Sequence, residues 1–167
     1  MRAGLAPWCI ALLAGGCASP APYVYRPDPC RVAVLGNDGR AVAPELAPAR
    51  VRVVIEAGNR IAGLPYRLGG GHGRALDDAY DCSGAASYVL GAAGLLDGPI
   101  ASREFRKYGR RGPGRWISVY ARRGHVFLSV AGLRFDTGWN RGEPRGPRWS
   151  TRSRSTRGCV VRHPAAL

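Results

Sequence analysis

The chain contains a cysteine at the predicted start of an apolar helix, in the segment Asp81-Cys82-Ser83-Gly84. Apolar residues then recur every three to four positions, at Ala85, Ala86, Val89, Leu90 and Ala93. This spacing is typical of a helix with one buried face. Aspartate is a preferred N-cap residue, so Asp81 predicts a helix over about residues 82–93, which Gly94 ends. A helix N-terminus stabilises negative charge, including that of a thiolate, so Cys82 is a candidate nucleophile.

A downstream strand supplies a candidate base. His125 lies in an apolar run over residues 124–131 that predicts a strand. The chain has three histidines, and the other two are less suited: His72 lies in a glycine-rich loop and His163 precedes a proline. A cysteine at a helix start that faces a histidine on a strand is a papain-like arrangement for acyl transfer.

The remaining pattern indicates an α+β fold. Apolar positions at helical spacing predict a helix over residues 47–62. Short strands are predicted over residues 31–36, 116–121, 133–136 and 158–162. The Gly, Pro, Arg and Ser content of residues 137–157 predicts a long loop. A helical first half followed by a strand-rich second half is typical of the α+β class.

Three segments, in this order, resemble the NlpC/P60 family of cell-wall cysteine peptidases: Gly63–Gly70, Asp81–Gly84 and Gly124–Leu128. The resemblance covers about residues 45–163. It implies a papain-like domain in which N-terminal helices pack on a small antiparallel sheet. It also implies hydrolysis of peptidoglycan stem peptides without a cofactor, usually between γ-D-glutamyl and a diamino acid.

The resemblance also implies roles for particular residues. Cys82 matches the nucleophile, His125 the general base, and Tyr66 the tyrosine that lines the site near the oxyanion. Where the family commonly has a second histidine, this chain has Asp136. A carboxylate can orient an imidazole as well as a second imidazole can, so Asp136 is the expected third residue. The backbone N–H of Cys82 or Ser83 is expected to bind the oxyanion.

The first residues have the pattern of an export signal. Arg2 precedes an apolar stretch, and the segment Leu12–Cys17 resembles a bacterial lipobox. We therefore expect residues 1–17 to be a signal peptide that ends in a lipidated Cys17, with ordinary secretion as the alternative. Residues 18–44 then form a proline-rich linker with a short strand, and residues 45–167 the catalytic domain. Either reading predicts a protein of the cell envelope, as a lipoprotein facing the periplasm in the first case.

The formal net charge of +14 predicts anionic surroundings. For an exported chain these are anionic lipids or acidic wall polymers, so we expect no nucleic acid partner. Most of the arginines are equally consistent with a solvated basic face that has no ligand. The protein is expected to act as a monomer.

The cysteines suggest one disulfide and no metal site. If Cys82 stays free for catalysis, Cys30 and Cys159 remain as a pair that an oxidising compartment can join. No pair of cysteines or histidines has the spacing of zinc ligands, so no metal is expected.

Two other functions remain open at this point. One is a noncatalytic peptidoglycan-binding lipoprotein that keeps the fold, which the replacement of a histidine by Asp136 favours. The other is a thiol amidase or acyltransferase that acts on a different amide, because the residues that select the substrate lie in loops.

Overall fold

The computed structural model describes residues 19–73, 75–138 and 145–167. The signal peptide and Cys17, predicted above, lie outside the described residues. The helices are α1 (Ala49–Ile61), α2 (Cys82–Ala92) and a 3₁₀ turn (Glu104–Lys107). The strands are β1 (Val34–Leu35), β2 (Ala41–Val42), β3 (Arg110–Arg111), β4 (Ile117–Arg122), β5 (His125–Val130), β6 (Leu133–Asp136), β7 (Arg148–Ser150) and β8 (Val160–His163).

The α+β prediction is confirmed: two helices pack against a six-stranded antiparallel sheet of order β3-β8-β4-β5-β6-β7. β1 and β2 form a separate antiparallel pair joined by a turn that contains Gly39, which has a φ of 78°. In the described part of the chain, no helix is long and apolar enough to cross a membrane. α1 and α2 pack against each other and against the six-stranded sheet.

α1 and α2 begin and end close to the predicted residues because their apolar faces are regular. Val51, Val54 and Ile61 are buried on α1, and Val89 and Leu90 on α2. α1 contacts β7 and β5, and α2 contacts β5. α2 is thus held against the strand that begins with His125.

The predicted loop over residues 137–157 is wrong in one part, because β7 lies within it. Trp149 is 4% exposed and packs at a tilt of 48° against Phe135 of β6, with ring centroids 4.7 Å apart. A Cβ on Gly58 of α1 would overlap the Trp149 indole, so this glycine lets the ring reach the helix. Burial of the large Trp149 ring stabilises β7, although the polar residues around Trp149 are typical of a loop.

The N-terminal segment also differs from a free linker. The side chain of Tyr23 is buried against Phe127 and Cys159, and its backbone forms an antiparallel bridge with Arg154. The Thr156 hydroxyl donates to the carbonyl of Pro20 at 2.6 Å. Prolines favour an extended linker. Burial of the Tyr23 ring is nevertheless favourable enough to hold this segment against the rest of the protein.

Candidate active site

The loop before α2 packs directly on the first turn of the helix. The Asp81 side chain accepts from the Gly84 N–H at 2.7 Å and from the Gly69 N–H at 2.9 Å. The Asp81 N–H in turn donates to the Gly70 carbonyl at 3.1 Å. A Cβ on Gly84 would overlap Gly70, so only a glycine allows this close approach. Asp81 is thus the predicted N-cap, and it also ties the glycine-rich loop to the helix start.

The charge state of Asp81 suits this role. Burial raises the pKa of its carboxyl, but hydrogen bonds from Gly84, Gly69, Ser83 and His72 outweigh burial and lower the pKa overall. Asp81 therefore remains a carboxylate at neutral pH. It acts as a structural anion beneath Cys82, which is the first residue of α2 and is partly exposed.

β5 and β6 bring His125 and Asp136 together. Leu128 lies opposite Phe135 in this antiparallel pair, so Asp136 lies near Phe127, whose side chain is on the same face as His125. The His125 Nε2 is 2.9 Å from the Asp136 Oδ1. Because Nε2 faces the carboxylate, Nδ1 is the ring nitrogen left for another partner.

The other group that acts on His125 is Cys82, whose side chain influences the imidazole through hydrogen bonding and charge. Burial lowers the pKa of His125, but the hydrogen bonds and charges of Asp136 and Cys82 outweigh burial and raise the pKa to about 9. His125 is therefore an imidazolium at neutral pH. A cationic group beside a cysteine at the start of a helix is typical of cysteine nucleophiles.

Asp136 is almost completely enclosed. Its side chain is 1% exposed, and the Gly138 N–H donates to Oδ1 at 2.7 Å. Two guanidinium groups lie near the other oxygen, Oδ2: the Nε of Arg154 at 3.5 Å and the Nε of Arg134 at 3.7 Å. A buried carboxylate needs such compensation, since an unpaired charge inside a protein is costly.

Tyr66 lies near Cys82 and Asp81. It is partly buried, and the charges of Cys82 and Asp81 reach its hydroxyl. Burial first, and then these two negative groups, raise the pKa of Tyr66. A hydroxyl that keeps its proton can donate a hydrogen bond. The backbone N–H of Ser83, the other predicted oxyanion donor, is in the first turn of α2, where amides have no intrahelical acceptor.

The predicted disulfide is absent from the structure. Cys30 and Cys159 are both free thiols, and Cys30 is exposed while Cys159 is buried against Tyr23 and Phe127. Burial raises the pKa of Cys159, which makes it a packing residue and not a nucleophile. Within the described ranges, no group of three potential metal ligands is found.

Sequence reasoning did not include three side chains that border the site. His72 Nε2 is 3.1 Å from Asp81 Oδ1 and 3.3 Å from the Ser83 hydroxyl. Its position shortly before the segment Asp81–Gly84 is the sequence feature that could have indicated it. Arg134 and Arg154 border Asp136. Arg134 could have been noticed as a cation two residues from Asp136 on a buried strand, whereas no local pattern indicates Arg154.

A cavity of about 340 Å³ lies beside α2, lined by Gly71, Tyr88, Asp97 and Pro99 among others. It is separate from the candidate site, because neither Cys82 nor His125 lines it. The chemistry of the site therefore depends on the side chains around Cys82 and not on this cavity.

Comparison of the chain with protein-family models and with curated proteins found no match. The function is therefore inferred from the geometry that joins Cys82, His125 and Asp136.

Proposed function

We propose that the chain is a cysteine peptidase that hydrolyses amide bonds in peptidoglycan stem peptides. The observation that carries this proposal is that His125 interacts with the Cys82 side chain and lies 2.9 Å from the buried carboxylate of Asp136. A nucleophile, a proton carrier and an orienting anion in this order form the minimal set for thiol-dependent acyl transfer.

In the first step, the Cys82 thiolate attacks the carbonyl carbon of the scissile amide. The carbonyl π electrons move to oxygen, and the resulting oxyanion accepts hydrogen bonds from the Ser83 N–H and the Tyr66 hydroxyl. Such donors act in a pre-organised site, where the loss of one costs about 100- to 1000-fold in rate in other hydrolases. The high pKa of Tyr66 keeps its proton available for this donation.

The imidazolium of His125 then donates its proton to the leaving amine, and the C–N bond breaks to give a thioester on Cys82. Neutral His125 next removes a proton from water, which attacks the thioester and releases the acid. His125 returns to its protonated form, and Cys82 leaves as thiolate. Asp136 holds the imidazole through Nε2, so that the other ring nitrogen, Nδ1, faces Cys82 and the substrate in both steps.

The substrate class and the finer fold are supported by the resemblance of three segments to the NlpC/P60 family, Gly63–Gly70, Asp81–Gly84 and Gly124–Leu128. The proposal accordingly includes a papain-like arrangement of the two helices and the sheet. It includes hydrolysis between γ-D-glutamyl and a diamino acid, and it involves no cofactor.

The location of the protein belongs to the same proposal. We propose a monomer exported to the cell envelope and anchored there through Cys17, with residues 45–167 as the catalytic domain. The net charge of +14 suits an anionic lipid or wall surface, and it does not call for nucleic acid as a partner in this compartment.

The assembled side chains favour catalysis over a binding-only role. A binding protein would have no need for a raised His125 pKa or for a buried carboxylate beside it. A thiol amidase with another amide substrate would use the same three residues, so only a substrate assay separates it from the proposed peptidase.

The test is digestion of purified peptidoglycan with the wild-type chain and with Cys82→Ala, followed by mass spectrometry of the soluble muropeptides. Fragments that arise only with Cys82 present support the peptidase and identify the bond. If the folded, reduced wild type releases none, the proposed substrate is wrong.

A further inference from the structure

The two oxygens of Asp136 have different partners. Oδ1 is taken by His125 at 2.9 Å and by the Gly138 N–H at 2.7 Å. Oδ2 makes no hydrogen bond within the described residues and faces the Nε of Arg154 at 3.5 Å and of Arg134 at 3.7 Å. These distances fit ion pairs and exceed those of hydrogen bonds. The rotation of the carboxylate about its C–C bond therefore depends on where the two guanidinium groups lie.

Arg154 lies beside the catalytic imidazole. A Cβ built on Gly138 would be 2.8 Å from the Arg154 Nη2 and 2.8 Å from the His125 Cε1, so both side chains border the same face of this glycine. The Arg154 guanidinium also lies over the Phe127 ring, 5.7 Å from its centroid. Its side chain is 10% exposed. A long arginine side chain held in this way loses much conformational entropy, which an exposed arginine would keep.

The N-terminal segment holds the backbone of Arg154. The N–H of Tyr23 donates to the Arg154 carbonyl at 3.0 Å, and the N–H of Arg154 donates to the Tyr23 carbonyl at 3.1 Å. The Tyr23 hydroxyl donates to the Gly132 carbonyl at 2.8 Å, next to the start of β6. Two residues after Arg154, the Thr156 hydroxyl donates to the carbonyls of Pro20 and Ala21.

We propose that Arg154 is a positioning residue for the His125–Asp136 pair, and that residues 20–23 hold it in place as a structural part of the active site. This inference rests on the proposed function, because it assigns a role within the same catalytic chain of contacts.

The positive charge of Arg154 has a defined effect. Several charged or titratable groups on neighbouring elements interact electrostatically with His125 or Asp136. They are Cys82, Arg134, Arg148, Arg154 and Cys159. A guanidinium that attracts Oδ2 keeps Oδ1 directed at His125. It also offsets part of the negative charge of Asp136, so the imidazolium gives up its proton to a leaving amine more easily.

The decisive variant is Arg154→Met, which keeps much of the side-chain length and removes the charge. We expect the titration midpoint of His125 to move upward by about one pH unit, since a nearby cation is lost. We also expect kcat for peptidoglycan hydrolysis to fall more than KM changes. The midpoint is read from ring resonances of labelled histidine in the full chain, which has only three histidines.

Two further variants separate position from general stability. Arg157→Met removes an exposed arginine three residues away and is expected to leave both the midpoint and kcat unchanged. Arg154→Lys keeps the charge and is expected to keep the midpoint near that of the wild type, even where the side chain packs less well. If Arg154→Met titrates and turns over like the wild type, the proposal is wrong.

The role of the N-terminal segment is tested by Tyr23→Phe, alone and combined with Arg154→Met. If the segment acts through Arg154, the two losses in kcat/KM are not additive. Additive losses would overturn that part of the proposal. The histidine titration needs no substrate, so its outcome stands even if the chain cleaves no peptidoglycan. Conversely, if the wild type cleaves peptidoglycan but the His125 titration is unchanged in Arg154→Met, the proposed function stands and the proposed role of Arg154 is wrong.

Discussion

Gly138→Ala adds one carbon atom at the centre of the site and removes no functional group. The new Cβ would lie 2.8 Å from the His125 Cε1, 2.9 Å from its Nε2 and 2.8 Å from the Arg154 Nη2. Ordinary van der Waals contact begins near 3.4 Å, so one or more of these groups must move by about 0.6 Å. The backbone of Gly138 is not in the left-handed region, so the effect is one of space alone.

Of these groups, His125 is the one whose displacement should lower the rate of hydrolysis. Its Nε2 is fixed 2.9 Å from Asp136, and its other partner is Cys82. A displacement of about 1 Å at a reacting group can cost about 100-fold in rate, so we expect kcat/KM to fall by roughly 10- to 100-fold. Overpacking of this kind costs about 1–3 kcal/mol in stability, so activity is lost before the fold.

The assay compares rates of muropeptide release by the wild type, Gly138→Ala and Gly98→Ala, with thermal unfolding of each. Gly98 is the matched control, because a Cβ there meets no atom within 4 Å. Wild-type activity in folded Gly138→Ala would show that His125 and Arg154 do not border Gly138 as described, and the account of the site would then be wrong.

Three further predictions follow from the same contacts. Asp136→Asn removes the anion beside His125, so the pKa of His125 should fall from about 9 by roughly 1–3 units in a histidine NMR titration; an unchanged titration would exclude the ion pair. In the wild type, the raised pKa means that His125 contributes stability that is fully present below pH 6.5 and is lost as the pH rises through about 9. The free energy of unfolding in urea should therefore fall by up to about 3 kcal/mol over that window, more than in His125→Gln. Asp81→Ala removes the N-cap of α2 and leaves Gly69 without its acceptor, so unfolding should cost about 1–3 kcal/mol less; a loss below 0.5 kcal/mol, on the order of that at a neutral surface site, would contradict the proposed cap.

The start of α2 and the pairing of His125 with Asp136 were predictable because both depend on local patterns. An aspartate before an apolar helical repeat specifies a cap, and two short apolar runs joined by Ala131 and Gly132 specify a hairpin. Positions on one face of a hairpin are then neighbours, whatever the rest of the chain does.

The parts that sequence reasoning missed depend on contacts between distant segments. The bridge between Tyr23 and Arg154 and the docking of Trp149 on α1 gain their free energy only after the sheet has formed. Their local composition, rich in proline in one case and in arginine in the other, is typical of exposed loops. The structure leaves Cys30 and Cys159 as free thiols, and the sequence could not decide their pairing because a spare pair of cysteines gives no information on distance.

The most direct test of the central claim is hydrolysis of a defined stem peptide containing the γ-D-glutamyl bond, before and after alkylation of Cys82. Residues 18–167 contain only three of the five cysteines. In this part of the chain Cys30→Ser removes the exposed thiol and Cys159 is buried, so iodoacetamide should modify Cys82 selectively in the folded protein. The account predicts that hydrolysis stops in proportion to the fraction of Cys82 alkylated, as measured by peptide mass mapping. Hydrolysis that persists with Cys82 fully alkylated would contradict the account.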